Sequence, residues 1–288
     1  MTLWQADFYR RSGRDVTGNS RWELLVVTAE GDVVVLADCA QAEVTAEWAR
    51  AQLQPQVVAH SPECMQVFRP QCLNLLEAAC QPLGVAVEPT RRTPALKQAL
   101  QQRAVVYEDQ ASNGDAVDLL RVESPPPLPL PESLWGDRWR FGAIAATDFD
   151  LAFAHKPIPI RVEPEELRPV HLGLASTIPI PGVVIDGGRV SMRLAQWLSR
   201  VRPAWLTYIP GEPDGLLLEA GLNERYILAT FEDAEAIASA RTFRERQHAA
   251  KGLHFLLVQP DDSGVTYSGL WLLQSDSNPT PLGLPQPP

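Results

Sequence analysis

The sequence predicts an α/β protein made of two mixed-sheet domains joined by a Pro-rich linker. Short runs of apolar and β-branched residues, typical of strands, are interspersed with segments in which apolar residues recur every three or four positions, typical of helices. Residues 124–131 contain five prolines, which predicts a stiff, extended spacer. The chain of 288 residues is long enough for two domains of about 100–200 residues each. We place the domains at 1–110 and 141–275, the linker at 111–140 and a disordered tail at 276–288.

The first domain begins with three strands joined by short turns, after which helices and short strands alternate. The predicted strands are residues 4–10, 22–27, 33–37, 57–59 and 85–87, and the predicted helices are residues 44–53, 72–80 and 94–103. Three strands followed by alternating helices and strands is the order of the ribonuclease-H-like fold. This resemblance concerns the fold alone and carries no function.

The second domain is also predicted to mix helices and strands. Its predicted strands are residues 183–185, 204–209, 216–221, 225–229, 253–258 and 267–274, and its predicted helices are residues 189–202 and 232–251. Two further runs, 157–160 and 178–181, contain two prolines each. We expect these runs to be extended but not central strands, because proline cannot donate to a ladder of hydrogen bonds.

Charge and composition limit the classes of function. The net charge of −10 argues against a protein that coats nucleic acid non-specifically, since such proteins are usually basic. No apolar run reaches the roughly 18 residues that span a bilayer, so we expect no membrane insertion. The chain starts without the features of an export signal or transit peptide, which predicts a cytoplasmic protein.

Metal and cofactor motifs are absent from the sequence. The four cysteines have no C-x-x-C spacing, which favours free thiols over a zinc site. No G-x-G-x-x-G or P-loop pattern is present. The turn Asp186-Gly187-Gly188 precedes a helix, where amides could hold a phosphate, but a plain turn is favoured. His254 lies within a predicted strand and is interpreted as a core residue rather than a ligand. We therefore expect neither cofactor nor metal.

Arginines beside aromatic residues indicate a local surface for single-stranded RNA. Guanidinium groups contact phosphates and rings stack on bases in such surfaces. The alternative for each arginine is a solvated position with local ion pairs. The candidate RNA-binding residues are Trp4, Phe8, Tyr9, Arg10, Arg11, Arg69, Arg91, Arg92 and Arg103.

The last predicted strand contains Trp271, Leu272 and Leu273, and apolar side chains point to both of its faces. Either it is a buried strand covered on both sides, or one face is an exposed contact surface for a partner. A second alternative concerns Asp7, which together with Glu43 or Glu47 could hold metal ions in a nuclease. The simpler interpretation is that Asp7 is solvated.

Several short motifs follow one another along the chain in a fixed order. They include Trp4-x-x-Asp7-Phe8-Tyr9, Phe68-Arg69-x-Gln71, Arg91-Arg92-Thr93, Leu134-Trp135-Gly136, Ile180-Pro181-Gly182, Gly252-x-His254-Phe255 and Gly269-x-Trp271-Leu272-Leu273. In this order they resemble the Tab-two/A-Tab-two (Tab2/Atab2) family of cyanobacteria and chloroplasts.

The resemblance implies an RNA-binding regulator without catalytic activity. It further implies action on translation of photosystem I reaction-centre mRNA through the 5′ untranslated region, with the closing Trp-Leu-Leu tripeptide important for function. The expected partners are a single-stranded mRNA leader and translation or assembly proteins, with no role for DNA. The alternatives are a metal-dependent nuclease on the ribonuclease-H-like scaffold and an adaptor that binds a protein through the Trp-Leu-Leu strand.

Overall fold

The computed structural model divides the chain into two compact units, Met1–Glu123 and Ser124–Pro288. The residues that it describes are 2–14, 19–110, 119–120, 122 and 125–275. Both units contain mixed sheets and helices, so the predicted fold class is confirmed. The predicted tail at 276–288 and residues 111–118, 121, 123 and 124 of the predicted linker lie outside the described residues, and the domain boundaries stay predictions.

The first unit is a five-stranded sheet with helices on both faces. Its elements are β1 (Leu3–Arg14), β2 (Ser20–Thr28), β3 (Val33–Ala40), α1 (Ala46–His60), β4 (Cys64–Val67), α2 (Pro70–Cys80), β5 (Ala86–Pro89) and α3 (Pro94–Gln110). The strand order is β3-β2-β1-β4-β5. Strand β2 pairs antiparallel with β1 and β3, and β4 pairs in parallel with β1 and β5. Along the chain, three strands are followed by alternating helices and strands, which is the succession that the sequence predicted.

Alternation along β1 divides the core of this unit into two layers. Trp4 and Phe8 face one layer, which also contains the buried side chains of α1 and α2. Tyr9 faces the other layer, against Leu96 and Leu100 of α3. The sides predicted for these residues are confirmed, because successive side chains of a strand point to opposite faces. One consequence is that Asp7, on the same side as Tyr9, lies inside the protein.

The predicted strand at residues 57–59 is wrong, since these residues form the end of α1. Thr45 caps this helix by accepting a hydrogen bond from the Trp48 amide, and Pro55 lies within it without ending it. The helix ends at Ser61, whose φ of 48° is left-handed. The strand that pairs with β1 comes after this turn, at β4.

The second unit contains two sheets. Its elements are β6 (Leu128–Pro129), β7 (Arg138–Ala145), α4 (Ala146–Phe153), β8 (Ile160–Val162), β9 (Pro179–Asp186), α5 (Ser191–Val201), β10 (Pro203–Ile209), β11 (Asp214–Ala220), β12 (Glu224–Phe231), α6 (Ala234–Ala249), β13 (Leu253–Gln259) and β14 (Gly269–Gln274). One sheet has the order β10-β11-β12-β6 and the other β7-β9-β13-β14-β8. Because β9 and β13 are parallel neighbours, their carboxyl ends meet at the same edge.

The expectation that residues 178–181 are not part of a central strand is wrong for residues 179–181, because they open β9, which lies between β7 and β13. The parallel pairing with β13 begins only at Gly182. Pro179 and Pro181 therefore precede the part of the strand that is paired on both sides. Proline is compatible with a strand in such a position, where its missing N–H interrupts no ladder.

Two glycines leave room for large rings in this sheet. A Cβ atom on Gly182 would lie 2.4 Å from ring atoms of Phe255, and one on Gly269 would lie 2.4 Å from Cη2 of Trp271. Real Cβ atoms do not approach so closely, and overpacking of this kind is destabilising. These close contacts explain why glycine is present at positions 182 and 269, each of which belongs to a motif noted in the sequence.

Among the described residues, no helix combines the length and the apolar character needed to cross a bilayer.

Candidate functional site

The structure groups several of the predicted RNA contacts of the first unit into two clusters, each around one aromatic ring. In the first cluster, the guanidinium groups of Arg11 and Arg103 lie 4.8 Å and 4.9 Å from the ring centre of Tyr107. In the second, Arg69 and Lys97 lie 5.1 Å and 5.8 Å from the ring centre of Phe68. Tyr107 and Lys97 were not among the predicted contacts.

The Tyr107 cluster is built on a buried carboxylate. Glu23 is 2% exposed and accepts hydrogen bonds from the hydroxyl groups of Tyr9 and Tyr107. Arg103 donates to both of its oxygens, from Nε at 3.1 Å and from Nη2 at 2.7 Å. Burial raises the pKa of Tyr9, and the hydrogen bond to the carboxylate raises it further. Arg103 therefore forms an ion pair with the buried carboxylate of Glu23.

The Phe68 cluster contains a second internal ion pair, between Arg69 and Asp7. Asp7 is 0% exposed, and Arg69 Nε lies 3.0 Å from Oδ1 and 3.1 Å from Oδ2. Burial raises the pKa of Asp7, and the guanidinium opposes this effect. The interpretation of Asp7 as a solvated residue is wrong.

Asp7 also lacks the surroundings of a nuclease site. Within the described residues, no three His, Cys, Asp or Glu side chains come together in a way that could hold a metal ion. The neighbours of Asp7 are instead Arg69 and the thiol of Cys72, whose sulfur lies 3.6 Å from Oδ1. A nuclease would need a metal ion beside this carboxylate, and the guanidinium of Arg69 lies in that place instead.

The other arginines predicted to contact RNA differ in their exposure. Arg10 is exposed and forms no ion pair with the described residues. Arg11 is half-buried, 3.7 Å from a carboxylate oxygen of Asp38. Arg91 is 9% exposed, and its carbonyl accepts a hydrogen bond from Lys97. Arg92 is half-exposed.

Three aromatic residues that were predicted to stack on bases lie in the core. Trp4, Phe8 and Tyr9 are 0%, 1% and 3% exposed. Phe8 is stacked on Trp48, with ring centres 5.5 Å apart. The prediction that these rings contact RNA is wrong for this structure, because the rings are buried and stacking on a base requires an accessible ring face.

The Trp-Leu-Leu strand is β14, and its three side chains are buried. Trp271, Leu272 and Leu273 are 1%, 1% and 0% exposed. Trp271 and Leu273 belong to one apolar cluster of the unit and Leu272 belongs to the other, on the opposite face of the sheet. The buried alternative is therefore correct, and the exposed contact surface is excluded for this conformation.

The structure confirms the interpretation of His254 as a core residue. It is 0% exposed, and its Nε2 accepts a hydrogen bond of 2.8 Å from the Leu206 amide. Its Nδ1 donates to the Gly252 carbonyl at 2.8 Å, and this arrangement requires a neutral ring. Burial lowers the pKa of His254 to about 4. The side chain thus ties β13 to β10 of the other sheet.

The turn after β9 is a plain turn, as predicted. The amide of Gly187 donates to the Gln259 carbonyl at 2.7 Å, and that of Gly188 donates to the Pro260 carbonyl at 2.9 Å. Both amides are therefore occupied and do not form a phosphate cradle. The neighbouring carboxylate of Asp186 is buried and accepts hydrogen bonds from Gln259, Arg138 and Arg140.

Two hollows lie beside Trp135 in the second unit. One has a volume of about 460 Å³ and is lined mostly by apolar residues, among them Trp139 and Leu194. The other has a volume of about 510 Å³, and the charged side chains of Arg189 and Asp261 are among those that line it. Both volumes fall within the range of small-molecule sites, about 300–1,000 Å³. Trp135 is 58% exposed and lines both hollows.

Sequence reasoning missed the outer face of α5. Residues 187–211 contain four arginines and neither Asp nor Glu, a charge pattern that could have been found without the structure. Arg189, Arg193 and Arg200 are exposed and form no ion pair with the described residues.

Comparisons with known proteins cover nearly the whole chain. Residues 3–103 match the model of the "RNA-binding protein Tab2/Atab2 N terminal" domain, and residues 117–274 match that of the "RNA-binding protein Tab2/Atab2, C-terminal domain". The chain is 29% identical to "Protein TAB2 homolog, chloroplastic" of Zea mays, over 99% of this chain and 72% of that protein. It is 25% identical to the protein of the same name from Arabidopsis thaliana, over 99% of this chain and 75% of that protein.

Among solved structures, the catalytic core domain of BIV integrase aligns with 38% of this chain and 74% of its own chain, at 15% identity. Its TM-score of 0.26 is too low to support an argument about this protein. The two family models, by contrast, match both units in the expected order. The chain therefore belongs to the Tab2/Atab2 family of RNA-binding proteins.

Proposed function

We propose that this protein binds a single-stranded mRNA leader and regulates translation of photosystem I reaction-centre mRNA, without cleaving it. The observation that carries the proposal is the match of both units to domains of an RNA-binding family. The restriction to a photosystem leader comes from the resemblance of the sequence motifs. We further propose that it acts in the cytoplasm of a cyanobacterium and recruits translation or assembly proteins.

The charge distribution supports selective rather than general binding. With a net charge of −10, the protein repels a polyanion except where cations are locally exposed. Among the predicted contacts of the first unit, Arg10 is exposed and Arg11 and Arg92 are partly exposed. Arg69 and Arg103 stabilise buried carboxylates, and we propose that they shape the surface rather than contact phosphates.

A gel-shift titration with a photosystem I leader transcript tests the proposed function. An unrelated single strand of equal length is the competitor, and salt is varied because each phosphate contact lowers the slope of log K against log salt by about 0.7 for single strands. We expect the leader to bind at least about tenfold more tightly than the competitor, a difference within the range of specific recognition. Equal affinity for both strands would contradict selective regulation.

The contribution of the first unit is tested by the variants Arg10→Gln and Arg92→Gln. Arg50→Gln is the matched control, because Arg50 is a half-exposed arginine of α1 outside both aromatic clusters. We expect each test variant to weaken binding uniformly across sequences and to reduce the salt slope by about 0.7. The control should leave both quantities unchanged.

A further inference from the structure

A concentration of positive charge in the second unit lies on α5 and the residues beside it. Residues 187–211 have a net charge of +4 from Arg189, Arg193, Arg200 and Arg202, whereas the whole chain has −10. A concentration of one sign of charge in an otherwise acidic protein produces a local field that attracts the opposite charge. This feature is independent of the arginines considered in the first unit.

The fold turns these arginines outwards. Leu194, Ala195 and Leu198 are buried in the core of the unit, which fixes the inner face of the helix. Arg193 and Arg200 are seven residues apart, or two turns, so they lie on the same side, about 10 Å apart along the axis. Arg189 lies two residues before the helix, in a short 3₁₀ segment, and is four residues before Arg193.

An exposed indole stands at the beginning of this row. Trp135 is the only exposed one among the eight tryptophans, all of which lie in the described part of the chain. Its Nε1 donates to the Leu130 carbonyl at 2.9 Å, which holds the ring in place. Trp135 and Arg189 line the same hollow of about 510 Å³. A fixed ring face beside a cation is suited to stack a base and hold the adjoining phosphate.

Acidic residues confine this surface to one side. Asp137 and Asp261 line the hollow of about 510 Å³ beside Arg189, and Asp186 and Asp262 both pair with the guanidinium of Arg138. The end of the hollow near these carboxylates repels phosphate. A polyanion that reaches Trp135 is therefore directed along α5, where residues 187–211 contain no acidic side chain.

We propose that the outer face of α5 and Trp135 form a binding surface for single-stranded RNA in the second unit. One base stacks on Trp135, and successive phosphates lie along Arg189, Arg193 and Arg200. This inference rests on the proposed RNA-binding function and names a site for it. An acidic protein segment would also suit the arginines, but it would make no use of a fixed, exposed indole.

The test is fluorescence anisotropy with a short, labelled oligouridine and the full chain. In the triple variant Arg189→Gln, Arg193→Gln and Arg200→Gln, we expect affinity to fall at least about tenfold and the salt slope to decrease by about 2. Arg193→Gln alone is compared with Arg246→Gln, an exposed arginine of α6. Arg246→Gln should leave the affinity unchanged. Far-ultraviolet circular dichroism and urea unfolding confirm that each variant is folded.

Stacking is tested separately. Trp135→Ala should weaken binding by about 5- to 150-fold, the range for loss of one base–aromatic stack. Trp135→Phe removes the same hydrogen bond to Leu130 but keeps a ring, and it should recover most of the affinity. Similar losses of RNA affinity in Trp135→Ala and Trp135→Phe would show that affinity depends on the hydrogen bond to Leu130 and not on the ring face.

The outcomes separate this inference from the proposed function. If the unmodified protein binds no RNA, both are wrong. If it binds oligouridine and the triple variant binds within twofold of it, the site on α5 is wrong while the function stands. If the triple variant instead loses binding of polyglutamate but retains RNA affinity, the surface is one for an acidic protein, and the RNA site is again overturned.

Discussion

The ion pair between Asp7 and Arg69 provides a sharp test of the first unit. Arg69→Met removes the guanidinium and keeps a side chain of similar length. It leaves a carboxylate that is 0% exposed without the cation that lies 3.0 Å away in the structure. Removing one partner of a buried ion pair typically costs about 3–5 kcal/mol, and we expect Arg69→Met to lower the free energy of unfolding by this amount at neutral pH.

A double-mutant cycle identifies the cause of the loss. Asp7→Asn should cost less than Arg69→Met, because the Arg69 side chain is 14% exposed and its Nη2 still donates to the Leu119 carbonyl. The variant with both substitutions contains no uncompensated charge, and it should be more stable than Arg69→Met alone. The coupling energy of the cycle then measures the pair itself.

The loss of stability in Arg69→Met should depend on pH, and its direction follows from the pKa of Asp7. Burial raises the pKa of Asp7, and the guanidinium lowers it, so without Arg69 the folded-state pKa rises further above the unfolded value. A carboxyl group whose pKa is raised on folding takes up its proton first in the folded state, and the penalty of the ionised form fades as pH falls. The difference between Arg69→Met and the unmodified protein should therefore be largest at neutral pH and shrink as pH falls towards 3.8, the ordinary pKa of an aspartate.

The assay is urea unfolding followed by tryptophan fluorescence at several pH values, together with RNA titration of the folded variant. An unchanged unfolding midpoint for Arg69→Met would refute the argument that the pair is internal and necessary. A large loss of RNA affinity in a variant of undiminished stability would restore Arg69 as an RNA contact.

Two further predictions concern the second unit. Trp271→Ala should lower the free energy of unfolding by about 3–5 kcal/mol, because it removes a large side chain that is 1% exposed and leaves a cavity. A loss under about 1 kcal/mol in urea unfolding, accompanied by loss of a co-purified partner, would favour the adaptor hypothesis instead. His254 has a pKa of about 4 in the folded protein against 6.5 for an ordinary histidine, so it contributes about 3 kcal/mol of stability that is present above pH 6.5 and lost as pH falls through 4. Urea unfolding across this range should show a steeper decline for the unmodified protein than for His254→Gln, and parallel curves would disprove the assignment.

The sequence by itself determined the fold class and most elements, because periodicity and turn residues are local properties. It placed Trp4 and Phe8 on one face of β1 and Tyr9 on the other, as the structure has them. It failed at residues 57–59, where a β-branched pair after Pro55 suggests a strand although the helix continues to His60. It failed again at β9, because only the register with β13 shows that Pro179 and Pro181 lie outside the doubly paired segment.

The candidate site depended more strongly on tertiary structure. The types of residue were evident in the sequence, but whether an arginine faces solvent or a buried carboxylate depends on what lies opposite it. Arg69 and Arg103 pair with Asp7 and Glu23, which are 62 and 80 residues away along the chain. The charge of α5 could be read from the sequence, but its position beside the exposed ring of Trp135 could not. The local sequence determines which side chains each element carries, and long-range packing decides which of them are exposed to solvent. The reason is that burial is a property of the folded chain and not of any segment.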